Sequence, residues 1–402
     1  MSVSRRRRDR MGKTSGHAIT GLGVTKQGRL PGVSSVDLRI ESLRAAIIDA
    51  GITPRDVGGY VYQPGATELG TYCMAGEVPK LMGISTKFVW NVQGGGTSAM
   101  LAIVAACAAI DAGVCDYVAV GYGDTMLSSS TVVGAAGMLG DTSYDTMGGY
   151  GMYSPGADHA LAARRHMYEF GTTREQLGAV ALNARRNANL REDAFMHDKP
   201  LTMEDYLSSR RIADPLVKFD NCLIADGGCA FIVTSADRAK DAPKPPVFID
   251  GVGFGHSITE AFRGDAYRRS AVKEAGDTAL RKAGVTIEDI DVAQIYDCFT
   301  ITVLMALEGF GFCGIGEGGP FAADGNIALN GSIPINTAGG ELSWGYMQGF
   351  TPIVEGIRQM RGEGGPTQIA DAELCLVSGH GGTYKDAGTM EYADGAMILR
   401  RN

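Results

Sequence analysis

Two segments far apart in this chain repeat each other. Ala46 to Val57 reads AIIDAGITPRDV and Ala279 to Ile290 reads ALRKAGVTIEDI. One constant offset superimposes Ala50 on Ala283, Gly51 on Gly284, Thr53 on Thr286 and Asp56 on Asp289. Two further correspondences follow in the same order along the chain. Asn91, Gly94 and Gly95 match Asn336, Gly339 and Gly340, and the stretch Tyr117 to Gly121 matches Cys375 to Gly379. Each is a helix-end or strand-end feature, so the repetition predicts a duplicated α/β unit rather than a coincidence of glycines. At 402 residues the chain has room for two core-sized halves.

Local patterning agrees with an α/β chain. His17 to Thr25 reads as a short strand, and Val36 to Ala50 has helical spacing through Leu38, Ile40, Leu43, Ala46 and Ile47, with Gly51 as its C-terminal stop. Gly59 to Gln63 is a second strand, and Thr97 to Ala112 is an alanine-rich helix, apolar all round and therefore expected to be buried. The alternation breaks between Gly123 and about Asp214, where Met126, Met138, Met147 and Met152 are followed by basic helical pieces carrying Arg164, Arg165, Arg185 and Arg186. A large insertion lying over the active site is expected there. Asp226-Gly227-Gly228-Cys229-Ala230 leads into a strand, Phe231 to Thr234, and Ala239 to Pro246, with three prolines, reads as a linker. The expected division is a basic, solvated tail over 1–15, an N-terminal half over 16–242 that contains the insertion at about 123–214, and a C-terminal half over 247–402.

Composition narrows the partners. A formal charge of -8 argues against nucleic acid, whose phosphates need clustered Lys and Arg. With 45% hydrophobic and 20% charged residues the composition is that of an ordinary soluble protein, and no apolar run is long enough to span a membrane. Eight cysteines without a CxxC pair point to reduced thiols and a cytoplasmic setting rather than to disulfides or a metal site. Met1 to Arg10 carries Arg5 to Arg8 but no apolar core, unlike a secretory signal.

The stretch Pro334 to Gln359 carries the chemistry. It begins apolar, turns through Gly339-Gly340, presents Trp344 and Tyr346 between small residues, and enters a helical run with Ile353, Val354 and Ile357 on one face. Asn336, Gly339, Gly340 and Gly345 resemble the thiolase superfamily here, with Tyr346 standing where that family has histidine. The resemblance extends along nearly the whole chain. It implies a thiolase-like fold of two duplicated halves packed as a five-layered αβαβα body, with the insertion as the loop domain over an acyl-CoA. Asp226 to Ala230 resembles the signature that closes the first half of such proteins.

Three loops depart from the thiolase pattern at its reactive positions. In Asn91 to Ala99, aligned on Gly96 and Ala99, Gln93 occupies the place of the nucleophilic cysteine, with Gly94 the alternative register, so no thiol is available. Backbone donors at the start of that helix, around Gly94 and Gly95, could instead hold an enolate or thioester oxygen, although a glycine run that merely permits close packing is the plainer alternative. In Ile295 to Thr300, Tyr296 stands for the asparagine that orients a water in the oxyanion hole. In Val377 to Gly382, Ser378 aligns with the second, acid/base cysteine, between Gly379, Gly381 and His380. Serine is a poor proton relay near pH 7 and histidine titrates there, so His380 is the better chemist, with an ordinary structural histidine nearly as well supported. Cys298 falls at an alanine position of the family and reads as core, and the segment Tyr384 to Ala396 departs from the family's ending.

Within the superfamily the chain resembles the sterol-carrier or lipid-transfer type, and among these the cysteine-free aldolases of steroid side-chain degradation. That resemblance implies retro-aldol cleavage of a β-hydroxyacyl-CoA to a ketone and a shorter acyl-CoA, with Tyr346 as the base, Tyr296 as second phenol and His380 as a third catalytic group. Gln93, Gly94, Gly95, Trp344, Ser378, Gly379 and Gly381 would line the substrate site. It also implies coenzyme A thioester as substrate without a permanently bound cofactor, no metal, a homodimer, and a small OB-fold and zinc-ribbon protein as partner. Two other classes stay open: an acyltransferase with an unorthodox nucleophile, and a non-catalytic acyl-CoA or lipid-binding subunit.

Overall fold

The computed structural model describes residues 16–68, 76–129, 155–260, 271–385 and 389–402. The expected basic tail, Cys73, and Met138, Met147 and Met152 lie outside these residues. In the first half β1 (His17–Val24), α1 (Ser35–Asp49), β2 (Val57–Gln63), β3 (Phe88–Asn91), α2 (Ser98–Asp111) and β4 (Tyr117–Thr125) follow one another. The insertion contributes α3 (Pro155–Phe170), α4 (Arg174–Asn189) and the strand pair β5 (Arg211–Ala213) and β6 (Leu216–Val217), before β7 (Asp226–Ser235). The second half runs β8 (Val247–Glu260), α5 (Ala271–Ala283), β9 (Val292–Gln294), α6 (Thr300–Phe310), α7 (Gly340–Ser343), α8 (Phe350–Arg361), β10 (Leu374–Lys385) and β11 (Thr389–Arg400).

The repeated segments fold alike. Gly51 and Gly284 both end a helix in the left-handed region, with φ of 69° and 70°. Two residues later Thr53 and Thr286 each donate their backbone N–H to the carboxylate of Asp56 and Asp289, at 2.7 and 2.9 Å. The strand orders match as well. In the first half β2 pairs parallel with β3 and β4, and β4 pairs antiparallel with β7, which pairs antiparallel with β1. In the second, β9 pairs parallel with β10 and, through Ala293, with Ile335, while β10 pairs antiparallel with β11 and β11 with β8. The apolar piece ahead of Gly339-Gly340 pairs only through this single bridge. Asn336 enters the left-handed region at φ 46°, and its side-chain oxygen accepts the Ile295 N–H at 2.7 Å, which ends the ladder.

The nine strands form one continuous sheet, β3-β2-β4-β7-β1-β8-β11-β10-β9, because β1 and β8 pair through Ala18–Phe248 and Ile19–Val247. That sheet cannot be flat. Helix α2 packs on β2, β4 and β7 of its own half and also reaches β10 and β11, while α8 packs on β9 and β10 and reaches β1 and β8. The two central helices are therefore enclosed between the half-sheets, and α1 and α5 cover the outer faces. This is the layered αβαβα body. One apolar cluster joins Ala99, Ile103 and Ala106 of α2 to Ile353, Val354 and Ile357 of α8, each of them buried, whereas Val104 and Ala108 on the other side of α2 are exposed, so the helix expected to be buried is buried on one face. The outer helices approach their strands closely enough to demand glycine: a Cβ on Gly23 would lie 1.9 Å from the Ser42 carbonyl, and one on Gly253 2.1 Å from that of Ala275.

Strand β7 begins earlier than Phe231, at Asp226, because Asp226 is already paired with Thr125 of β4. Its carboxylate accepts N–H groups from Leu30, Leu127 and Ser128 at 2.8, 2.7 and 3.0 Å, fastening the start of the insertion to the sheet.

Candidate active site

The three loops singled out in the sequence meet at one place, beyond the carboxyl ends of the parallel strands, where α/β sheets place their ligands. Gly94 to Gly96 follow β3, Tyr296 follows β9, Tyr346 lies between α7 and α8, and His380 lies on β10 past its pairing with β9. Backbone crowding shows how closely they pack. A Cβ on Gly96 would stand 2.2 Å from the His380 carbonyl oxygen and 2.5 Å from the Tyr296 ring. Cβ atoms on Gly379 and Gly381 would stand 2.5 and 2.4 Å from the carbonyl oxygens of Gly96 and Gly94. These glycines are the contact between loops, so the close-packing alternative holds for Gly94, Gly96, Gly379 and Gly381. Gly95 and Gln93 are exposed.

The two phenols come together. Tyr296 is buried, Tyr346 is partly accessible, and a hydrogen bond joins their side chains. Burial pushes both phenols well above their ordinary value, and the nearby Glu341 carboxyl adds to it. Both are therefore neutral near pH 7. A phenol acting on a proton here would do so within a relay rather than as a standing tyrosinate.

Other predicted residues have structural duties. The Ser378 hydroxyl accepts the backbone N–H of Tyr296 at 2.9 Å, so it holds the phenol's loop in place. Trp344 is 2% exposed, its indole N–H donates to Asp193 at 3.0 Å, and the Arg358 guanidinium lies over its ring. Its role is to anchor the Tyr346 loop to the core, which corrects the expectation that it lines the substrate site. Cys298 is buried as expected, and burial pushes its thiol well above the ordinary value, as it does for Cys222.

Four functional candidates were not assigned from the sequence. Asp297, next to Tyr296, accepts the N–H groups of Glu341 and Leu342 at 2.7 and 3.2 Å, and burial pushes its carboxyl up to about 7. A Cβ on Gly340 would meet that carboxylate at 2.2 Å, which explains the second glycine of the pair. Glu341 is fully buried. Both its carboxyl oxygens lack a hydrogen-bond partner closer than a loose contact with Thr351, and burial holds the group neutral well above the ordinary carboxylate range. His159, from the first turn of α3, and Asp394, from β11, bracket His380: Asp394 Oδ1 lies 2.7 Å from His380 Nδ1, and His159 Nε2 lies 3.3 Å from His380 Nε2. Adjacency to Tyr296 and to Gly339-Gly340 could have flagged Asp297 and Glu341. Nothing local flags His159, which reaches the site only through the tertiary packing of the insertion.

A cleft of ≈ 640 Å³ opens alongside, lined among others by Phe195, Lys199, Lys218, Phe219, Cys222 and Leu342. It combines apolar walls with two ammonium groups and is lined in part by Cys222, whose thiol feels the Glu341 carboxyl that the phenols also feel.

Residues 16–237 match the thiolase N-terminal domain, and residues 255–393 match a thiolase C-terminal-domain-like family. This chain belongs to the thiolase family. Among thiolase relatives, a steroid side-chain-cleaving aldolase of Thermomonospora curvata is 34% identical over 357 residues, covering 86% of this chain and 90% of that protein. A 17-hydroxy-3-oxo-4-pregnene-20-carboxyl-CoA lyase of Mycobacterium tuberculosis is 33% identical over 381 residues, covering 90% and 95%. The solved Ltp2-ChsH2(DUF35) aldolase superposes with a TM-score of 0.82 at 32% identity, covering 96% of this chain and 98% of that one. The segment Asn91 to Ala99 holds no cysteine, and Tyr296 and Tyr346 are hydrogen-bonded to each other.

Proposed function

We propose that this protein is a thiolase-fold aldolase, a carbon–carbon lyase that cleaves a β-hydroxyacyl-CoA by a retro-aldol reaction to a ketone and a shorter acyl-CoA, in the breakdown of a steroid side chain. The observation that carries this reading is the hydrogen-bonded pair Tyr346 and Tyr296 in a pocket whose nearest thiols, Cys222 and Cys298, are held protonated. A retro-aldol step needs a path for the β-hydroxyl proton and stabilisation of the enolate, and no acyl-enzyme. Tyr346, the accessible phenol, takes the β-hydroxyl proton as its own passes through Tyr296 to His380. The Cα–Cβ bond breaks, its electron pair becomes the thioester enolate, and the carbonyl of the ketone forms. The exposed Gly95, ahead of α2, offers its backbone N–H to the enolate oxygen, whereas that of Gly94 is taken by Ser98 at 2.7 Å, and the enolate is then protonated at Cα with His380 as the acid.

The coenzyme A moiety fits the cleft of the insertion, where Lys199 and Lys218 can meet phosphates and Phe195 and Phe219 can meet the pantetheine chain. No cofactor beyond the thioester is required by this chemistry. A homodimer is supported by β3, which lies at the sheet edge beside the half-exposed Trp90, since an unpaired edge is a template for another chain. A small OB-fold and zinc-ribbon protein is the proposed second partner, in keeping with the two-protein name of the superposable aldolase. Among the described residues seven free, scattered cysteines support a reducing, cytoplasmic setting, and no described helix is long and apolar enough to cross a membrane.

The test is product analysis. The protein, alone and co-expressed with such a partner, is incubated with a β-hydroxyacyl-CoA bearing a branched or cyclic β-carbon, and the thioester and ketone are identified by mass. Release of both products with unmodified intact protein mass is expected. A stable acylated protein, or thioester exchange without a ketone, would place it among the acyltransferases instead.

A further inference from the structure

His159 comes from the insertion, whereas the groups beside it, Tyr296, Tyr346, His380 and Asp394, come from the C-terminal half. Its Nδ1 lies 2.7 Å from the Pro155 carbonyl oxygen, one turn back along α3, and its ring stacks on Phe299 at 4.1 Å. A carbonyl only accepts, so Nδ1 carries the hydrogen and His159 Nε2 presents a lone pair. On the other side, His380 Nδ1 faces the Asp394 carboxylate at 2.7 Å, and the two residues are direct cross-strand partners of β10 and β11. With that contact made as Nδ1–H to carboxylate, His380 Nε2 would also present a lone pair to His159. Two lone pairs cannot face each other at 3.3 Å without a proton between them.

We propose that His159 and His380 share one proton between their Nε2 atoms, and that this imidazole pair, braced by Asp394, is the group that protonates Cα of the departing enolate. The proposal rests on the aldolase reading and adds to it His159 as a positioning residue. Burial and the neighbouring His380 push His159 down to about 3, and the Asp394 carboxylate lies beside His380 rather than beside His159. A separation of 3.3 Å is at the loose end for a hydrogen bond, so the shared proton is the labile one. The Tyr296 ring stands 6.5 Å from that of His380, so the donor borders the phenols that receive the β-hydroxyl proton. Protons balance over a turnover. The pair gives one proton to Cα and receives one through the phenols, which relay the β-hydroxyl proton without either holding an extra one, and this restores the starting state.

By microscopic reversibility the acid that protonates the enolate also removes a Cα proton from the acyl-CoA product, and this half-reaction needs no ketone. The experiment follows hydrogen–deuterium exchange at Cα of propionyl-CoA in D₂O by mass spectrometry, using the full chain, with cleavage of a β-hydroxyacyl-CoA read in parallel. Wild type is expected to exchange. His159→Leu is expected to lose about 10²-fold or more in exchange, the scale of a general acid–base contribution. His159→Gln, whose side-chain oxygen offers an acceptor near the position of Nε2, is expected to recover a measurable part. If His159→Leu does not fold, ¹⁵N spectra of the histidine side chains of wild type decide: three of the four ring nitrogens of His159 and His380 should carry hydrogen, and two would overturn the proposal. Exchange by folded His159→Leu at the wild-type rate, or cleavage by wild type with no Cα exchange, also overturns it. Wild type that exchanges Cα but cleaves no β-hydroxyacyl-CoA would instead sink the aldolase reading and leave the shared proton standing.

Discussion

The carbonyl oxygen of Gly96 stands where a side chain on Gly349 would begin: an ideal Cβ at 349 would lie 1.8 Å from it. Gly349 closes the Tyr346 loop at the start of α8, and Gly96 touches the Tyr296 ring, so this one contact sets the distance between the two phenols' loops. Gly349 has an ordinary negative φ of −63°, so the constraint is purely one of space. Gly349→Ala is expected to lose about 1–3 kcal/mol of stability, the usual range for overpacking, and most of its turnover. Thermal melting and steady-state cleavage rates check both; an alanine variant with wild-type melting and turnover would show that the loops are not packed this tightly.

Glu341 and Asp297 give the protein a pH signature. Both carboxyls are pushed above their ordinary values by burial, Asp297 to about 7. Between the unfolded and folded values the folded chain holds protons that the unfolded chain has lost, so stability falls as pH rises through that window. For Asp297 the window runs from 3.8 to about 7. For Glu341 it opens at 4.5 and extends well above. Each group contributes a slope of at most about 1.4 kcal/mol per pH unit. Denaturant midpoints measured over this range should fall less steeply in Glu341→Gln than in wild type. Parallel curves would show that Glu341 ionises freely in the folded state.

Much of this was legible before the fold was seen, and the parts that were not have a common cause. The repeat of Gly51 and Thr53 at Gly284 and Thr286 reports helix ends, which are local, and it predicted the duplicated topology correctly. The loops at Gln93, Tyr296 and Ser378 could be placed because family motifs are contiguous in sequence. Trp344 was misread because a tryptophan between small residues looks like a binding aromatic, whereas its indole is satisfied by Asp193, which no local pattern connects to it. Ser378, expected to line the substrate site, holds a backbone N–H of a neighbouring loop. His159 and Asp394 act on His380 across long stretches of chain, and such contacts exist only once the insertion has docked and the last hairpin has formed.

The cysteines should be dispensable for chemistry. Burial raises the Cys298 thiol well above its ordinary value, and the nearby Cys222 and Glu341 add to it, so the thiolate a nucleophile needs is not formed near neutral pH. Cys298→Ala should keep turnover within a few-fold, and incubation with acyl-CoA should leave the intact mass of the wild type unchanged. Acylation mapped to Cys298 would contradict this.

The central claim is that the Tyr346 hydroxyl handles the β-hydroxyl proton, and Tyr346→Phe tests it most directly because it removes one oxygen and keeps the ring. Single-turnover cleavage of a β-hydroxyacyl-CoA should slow by about 10²- to 10⁴-fold, with substrate affinity and melting temperature close to wild type. A Tyr346→Phe protein that binds the thioester normally and cleaves it at a near-normal rate would contradict the account and leave Tyr346 as a packing residue.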